Sequence, residues 1–120
     1  SAWWSQKKLQ HFPEVVTRLL ELRELHLVDQ QIPSVPQSID TLTKLEILNF
    51  WSNQLQRFPE TVSQLRDLQY LNLCENQLES LPSGLSVLTK LKALDLARNF
   101  IKSLPDIFNQ LTNLEMLYLS

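Results

Sequence analysis

The segment Leu22-Arg-Glu-Leu25-His-Leu27 recurs along the chain at intervals of 23 residues, as Leu45-Glu-Ile-Leu48-Asn-Phe50, Leu68-Gln-Tyr-Leu71-Asn-Leu73, Leu91-Lys-Ala-Leu94-Asp-Leu96 and Leu114-Glu-Met-Leu117-Tyr-Leu119. No insertion interrupts the series. A fixed period of this length predicts a solenoid, in which each unit buries its apolar face only by stacking on its neighbours. The sequence therefore reads as one domain, with a partial first unit over 1–21, full repeats over 22–44, 45–67, 68–90 and 91–113, and a truncated repeat over 114–120.

Within a repeat counted from its first leucine, apolar and polar residues alternate around positions 3–7. This alternation predicts a short strand with one buried face, and successive strands should stack into a parallel sheet. Apolar positions 14, 18 and 21 have the spacing of a helix of one to two turns. Position 15 suits the first turn of that helix, because it is always proline: Pro13, Pro36, Pro59, Pro82 and Pro105. The expected fold class is α/β, a curved right-handed superhelix with the parallel sheet on its concave face and short helices on its convex face.

Position 9 carries an asparagine where the chain turns out of the strand, in Asn53, Asn76 and Asn99. A buried amide there can satisfy backbone donors and acceptors of neighbouring turns, which are costly to leave unpaired. Lys7 and Gln30 take this position in the first two units. We therefore expect the asparagine ladder to be less regular at its N-terminal end.

The pattern LxxLxLxxNxLxxLPxx(I/L)xxLxx resembles that of leucine-rich-repeat proteins. Its 23-residue form with Leu-Pro resembles the intracellular class found in Ras-binding scaffolds and in bacterial cytosolic or host-targeted proteins. The resemblance covers essentially the whole chain and rests on five consecutive units that contain the proline. It implies a non-catalytic module for protein–protein interaction, with a small GTPase or another signalling protein suggested as partner by the resemblance alone.

An alternative function is a recognition or targeting arm of a larger enzyme or secreted bacterial effector, whose catalytic domain is absent from this chain. This alternative is motivated by the last repeat, which stops at Ser120. The open edge formed by residues 114–120, together with the region around Phe108, is also expected to pair with a second copy of the chain unless more sequence follows.

Composition narrows the remaining classes of partner and compartment. A formal charge of −2 gives no basic footprint for nucleic acid, and no stretch approaches 18 consecutive apolar residues, so no membrane span is expected. A single glycine excludes phosphate-binding glycine loops, and no cofactor is expected. Cys74 is the only cysteine and cannot form the disulfide-bonded caps that are usual in extracellular domains of this kind. We therefore expect a cytoplasmic protein, or one in the host cytosol if it is an effector.

Catalytic and metal sites are excluded by the register of the repeats. His26 and Cys74 should lie two strands apart, which separates their backbones by roughly 10 Å. A nucleophile and its general base need about 3 Å. His26 and Asp95 should lie three strands apart, so these side chains cannot share a metal ion. The sequence therefore predicts that the chain is not an enzyme and holds no metal.

The expected binding surface is the concave face, where positions 3, 5 and 7 point outward and position 8 lies at the edge. Its centre is predicted at Trp51, Ile47 and Tyr70, because exposed aromatic patches with a polar rim are typical of binding sites. The predicted contact residues are Trp51, Tyr70, Ile47, Asn49, Asn72, Cys74, Val28, His26, Asp29, Glu75, Asp95, Met116 and Tyr118. Two structural alternatives remain open: Trp51 and Tyr70 could simply pack on each other across the sheet, and position 5 could be a solvated ladder.

Overall fold

A computed structural model describes residues 2–4, 8–104, 106 and 108–119. Its six parallel strands lie side by side in chain order: β1 Ala2–Trp4, β2 Glu24–Leu27, β3 Ile47–Asn49, β4 Tyr70–Asn72, β5 Ala93–Asp95 and β6 Met116–Tyr118. Residues 23 apart are register partners, as in Leu25↔Leu48 and Leu48↔Leu71. The predicted solenoid with a parallel sheet is thus confirmed.

The convex side carries four 3-10 helices of five residues, over Glu14–Arg18, Gln37–Thr41, Glu60–Gln64 and Ser83–Val87. The expectation of proline inside the first helical turn was wrong. Pro13, Pro36, Pro59 and Pro82 each precede a helix, and their carbonyls accept its first bond, as in Val62 N–H to Pro59 O at 3.1 Å. A 3-10 helix rises about 2 Å per residue, whereas an α-helix rises about 1.5 Å. Five residues in a 3-10 helix therefore span a longer distance along the convex side than five residues in an α-helix. Pro105 and Lys7 lie outside the described residues.

The core is a single column of stacked apolar side chains between the sheet and the helices. The inward strand residues Leu25, Leu48, Leu71 and Leu94 are at most 2% exposed. Phe50 is the largest fully buried side chain, and its ring centroid lies 6.2 Å from that of Phe12 and 5.9 Å from that of Phe58. Aromatic pairs at such distances add to the burial of area. The core therefore continues without a break from repeat to repeat.

Each amide of the asparagine ladder joins its own turn to the turn of the preceding repeat. The Asn76 amide donates to Phe50 O at 3.0 Å and to Leu73 O at 3.1 Å, and its oxygen accepts from Leu55 N–H at 3.0 Å. Asn53 and Asn99 make the corresponding bonds. These amides satisfy buried backbone groups that the sheet leaves unpaired.

Gln30 continues this ladder into the first unit. Its side-chain oxygen accepts from Leu9 N–H at 3.0 Å, the same distance that Asn76 keeps to Leu55 N–H. The longer glutamine side chain is fully buried, and its amide donates to Val28 O. The irregularity expected at Gln30 therefore does not appear in its bond to the preceding unit.

Candidate protein-binding surface

The outward side chains of the strands form columns across the sheet, as the repeat predicts. Position 3 aligns Glu24, Ile47, Tyr70, Ala93 and Met116, and position 5 aligns His26, Asn49, Asn72, Asp95 and Tyr118. A depression of about 250 Å³ lies between the two columns. The residues that line it are Ile47, Leu48, Asn49, Tyr70, Leu71, Asn72, Ala93, Asp95 and Tyr118. The small Ala93 side chain leaves room on the sheet between the tyrosines of β4 and β6.

The tyrosines and the methionine of these columns are well exposed. Tyr70 is 39% exposed, Met116 47% and Tyr118 51%. The Tyr118 hydroxyl lies 3.6 Å from the Met116 sulfur, which ties the two side chains of β6 together. Apolar surface of this kind on a sheet face is typical of an interaction site. The structure therefore brings seven of the predicted contact residues to one side of the sheet: Ile47, Asn49, Tyr70, Asn72, Asp95, Met116 and Tyr118.

The position-5 polar side chains also have a backbone role that the sequence did not reveal. The side-chain oxygens of Asn49, Asn72 and Asp95 accept hydrogen bonds from the backbone N–H two residues ahead, at 3.1, 3.0 and 3.0 Å. These N–H groups belong to position 7, two residues beyond the last residue of the strand. An Asx-type bond of this kind replaces the missing strand partner. These three side chains therefore also support the backbone of the turn, and the choice between a solvated ladder and a binding role stays open.

Trp51 lies apart from the depression. It follows Ile47 by four residues, which corresponds to about 13 Å along an extended chain. Its side chain is 43% exposed, and it is not part of the lining. Aromatic ring contacts among the described residues join Phe12, Phe50 and Phe58, and none joins Trp51 to Tyr70. The ring contacts therefore do not support the alternative in which Trp51 and Tyr70 cover each other, and the predicted cluster of Trp51, Ile47 and Tyr70 stays a prediction.

His26 was expected on the accessible face, but it is only 7% exposed. Its ring nitrogens lie 3.2 Å from Glu24 Oε1 and 3.3 Å from Asn49 Nδ2. The imidazole therefore offers a partner little accessible surface, and its role as a contact residue stays a prediction.

The far end of the strands carries a second apolar row at position 7. Val28 and Cys74 are partly buried on either side of the exposed Trp51. Position 8 follows this row in each repeat. There the Asp29 carboxylate forms an ion pair with Lys8, and Glu75 Oε1 lies 3.2 Å from Arg98 Nη1. The predicted contact residues Asp29 and Glu75 are thus paired with cations of neighbouring repeats.

The chemistry of Cys74 is that of a shielded thiol. Burial is the main cause that raises the pKa of the Cys74 thiol, and the carboxylates of Asp95 and Glu75 raise it further. A raised pKa leaves little thiolate near neutral pH, which is the opposite of an activated nucleophile. In the part of the chain that the structure describes, no group of three His, Cys, Asp or Glu side chains could hold a metal ion. Nor does any helix there have the length and apolar character that crossing a membrane requires.

The C-terminal edge exposes apolar side chains. Leu117 is 37% exposed and Leu119 48%, whereas the inward leucines of the central strands are almost fully buried. Leu104, in the preceding repeat, is 42% exposed. This edge of the sheet thus presents exposed apolar side chains at Leu104, Leu117 and Leu119.

Comparisons with known proteins agree with this architecture. A family model described as a leucine-rich repeat region matches residues 5–116. A leucine-rich-repeat protein of Leptospira interrogans superposes with a TM-score of 0.92 at 34% sequence identity, over 94% of this chain and 29% of that one. The leucine-rich-repeat ectodomain of a receptor kinase from Arabidopsis thaliana superposes with a TM-score of 0.79 at 27% identity, over 96% of this chain and 70% of that one. A comparison with curated protein sequences gave no significant match. The chain spans less than a third of the length of the Leptospira protein.

Proposed function

The chain belongs to the leucine-rich-repeat family, and from this premise we propose that it is a non-catalytic module that binds a partner protein on the concave face of its sheet. Leucine-rich-repeat proteins generally mediate protein–protein interactions through such stacked repeats. The observation that supports the concave face is the depression between Tyr70 and Tyr118, whose aromatic side chains stay exposed on an otherwise packed sheet.

The size of the depression favours a protein partner over a small molecule. Pockets for small molecules usually have volumes of about 300–1,000 Å³ and enclose most of the ligand. The depression measures about 250 Å³ and is open to solvent. It suits one inserted side chain, with the surrounding sheet face supplying the rest of a contact area. Tyrosine is one of the residues that most often anchor such interfaces.

The test is capture of partners from a lysate of the source organism, quantified by mass spectrometry. We expect Tyr70→Ala with Tyr118→Ala to lose the proteins captured by the wild-type chain, because both walls of the depression disappear. Phe100→Ala is the matched control, since Phe100 is a 62% exposed aromatic residue that does not line the depression. Unchanged thermal unfolding would exclude a folding defect in the double variant. Capture of the same proteins by the double variant and the wild type would contradict the concave-face assignment.

Trp51 provides a separate arm of the same experiment. If the partner extends along the strands to position 7, Trp51→Ala weakens capture while the depression stays intact. The alternative role, as the recognition arm of a larger enzyme or effector, uses the same surface. This alternative role stays a prediction, and the full coding sequence tests it. The cytoplasmic location and a small GTPase as partner also stay predictions.

A further inference from the structure

The depression combines its aromatic walls with a carboxylate that has no cationic partner among the described residues. Asp95 lines it, and none of the described ion pairs includes Asp95. The lining contains no lysine or arginine. Among the described residues at positions 3, 5 and 7, the charged ones are Glu24 and Asp95, both acidic, and Glu24 lies against His26. Asp95 is therefore the carboxylate of this face that is left for a partner.

The hydrogen bonds of Asp95 leave acceptor capacity toward the depression. One oxygen accepts from Ala97 N–H at 3.0 Å, and the carboxylate also interacts with the Cys74 thiol. An ionised carboxylate offers about four lone-pair sites, so these two interactions do not exhaust it. Its position beside Tyr118 in the position-5 column places this charge next to an exposed aromatic ring.

We infer that this depression receives a cationic side chain, an arginine in the first place, from the partner protein. The inference rests on the proposed function and adds the chemistry of the partner. A guanidinium can pair with the Asp95 carboxylate and stack on the tyrosine faces at the same time. The aliphatic stem of the arginine then packs on Ala93, as long cationic side chains do on apolar surface. A neutral or acidic side chain would leave the Asp95 charge desolvated without a partner, which is costly.

The chain itself provides the variant that isolates the charge. Asn49 and Asn72 hold the same place in their repeats as Asp95 and make the same bond to the backbone two residues ahead. Asp95→Asn therefore keeps the Asx-type bond and removes only the charge. The double variant Asp95→Asn with Asn72→Asp returns a carboxylate to the depression, one strand away, which is about 4.8 Å.

The experiment is selection of random 12-residue peptides displayed on phage against the whole chain. Selected peptides are then measured by fluorescence polarisation on the wild type, Tyr70→Ala, Asp95→Asn and the charge-shifted double variant. We expect the peptides that depend on Tyr70 to contain arginine or lysine. We also expect Asp95→Asn to weaken their binding roughly tenfold or more, because a hydrogen bond to a charged group contributes about that factor. Replacing the critical arginine by citrulline, its neutral isostere, should weaken binding to the wild type as strongly and have little effect on binding to Asp95→Asn.

The outcomes separate this inference from the proposed function. Peptides that lose binding with Tyr70→Ala but bind Asp95→Asn as well as wild type would overturn the cationic anchor and leave the concave face as the binding surface. A selection that yields no peptide sensitive to Tyr70→Ala would contradict both. Partial recovery of binding by the charge-shifted variant, together with weaker binding at high salt, would support a charge-specific anchor against a merely aromatic one.

Discussion

Removal of the Asn76 side chain should destabilise the whole solenoid, although Asn76 is distant from the proposed binding depression. In Asn76→Ala the backbone N–H of the fully buried Leu55 loses its acceptor, which costs about 1–3 kcal/mol. The donors to Phe50 O and Leu73 O are lost as well, at about 0.5–1.5 kcal/mol each. These carbonyls keep one bond each, from Asn53 and Asn99. The expected total is about 2–6 kcal/mol, a large part of the stability of a domain of this size.

Urea unfolding followed by far-ultraviolet circular dichroism measures this loss. Gln77→Ala is the matched control, because Gln77 is the next residue and its side chain is exposed. It should unfold like the wild type. Asn99→Ala should cost less than Asn76→Ala, since Asn99 is only partly buried and water can replace some of its bonds. If the free energy of unfolding of Asn76→Ala lies within about 0.5 kcal/mol of the wild-type value, the asparagine ladder does not stabilise the turns as argued.

Three further predictions concern other parts of the chain. Ser52 has a φ of 61°, in the left-handed region that glycine adopts easily and a branched side chain does not. Ser52→Gly should therefore raise the free energy of unfolding by about 0.5 kcal/mol, and Ser52→Val should lower it by about 1–2 kcal/mol. Equal urea midpoints for the two variants would contradict this. Burial and the charges of Asp95 and Glu75 raise the pKa of Cys74, so iodoacetamide should alkylate it slowly at pH 8. In Asp95→Asn the rise of rate with pH should move to lower pH, and an unmoved profile would exclude the influence of Asp95. Light scattering over a concentration series should show self-association through the exposed Leu117 and Leu119 edge, which Leu117→Lys should suppress; a wild type that stays monomeric would rule this out.

The sequence predicted the fold well because one physical constraint is repeated in every unit. Without an insertion, each inward leucine must lie beside the leucine 23 residues away, and the pairing of Leu48 with Leu25 and Leu71 confirms this. The helix type could not be derived in the same way. Spacing of apolar residues at positions 14, 18 and 21 suits either an α-helix or a 3-10 helix flanked by extended residues. The helix type is decided by the distance between the end of one strand and the start of the next, which the whole repeat determines.

Turn chemistry was the part of the fold that the sequence concealed. With a single glycine, the sequence offers few residues that favour a left-handed backbone. Yet position 8 has a positive φ in Asp29, Ser52, Glu75 and Arg98, between 54° and 61°. Backbone bonds from these residues to the next unit, such as Ser52 N–H to Cys74 O at 2.9 Å, outweigh the local preference. Tertiary hydrogen bonding thus imposes a conformation that residue type alone would not indicate.

The candidate site was predicted in part, because alternation tells which side chains point outward but not how they interact. It placed Ile47, Tyr70 and Tyr118 on the sheet face. It could not show that Trp51 is absent from the lining of the depression, nor that His26 is buried beside Glu24 and Asn49. Both results depend on contacts between side chains of neighbouring strands. Such contacts vary from repeat to repeat, whereas the leucine pattern does not.

Position 5 shows how binding chemistry can change without disturbing this fold. Its backbone bond needs a short side chain with an oxygen acceptor, and the amides of Asn49 and Asn72 and the carboxylate of Asp95 meet that need at nearly the same distance. The fold therefore does not distinguish asparagine from aspartate at this position. The negative charge at residue 95 then has no structural requirement behind it, and Asp95→Asn should unfold at the same urea concentration as the wild type. A clear loss of stability in that variant would mean that the carboxylate supports the fold, and the charge would no longer point to a cationic partner.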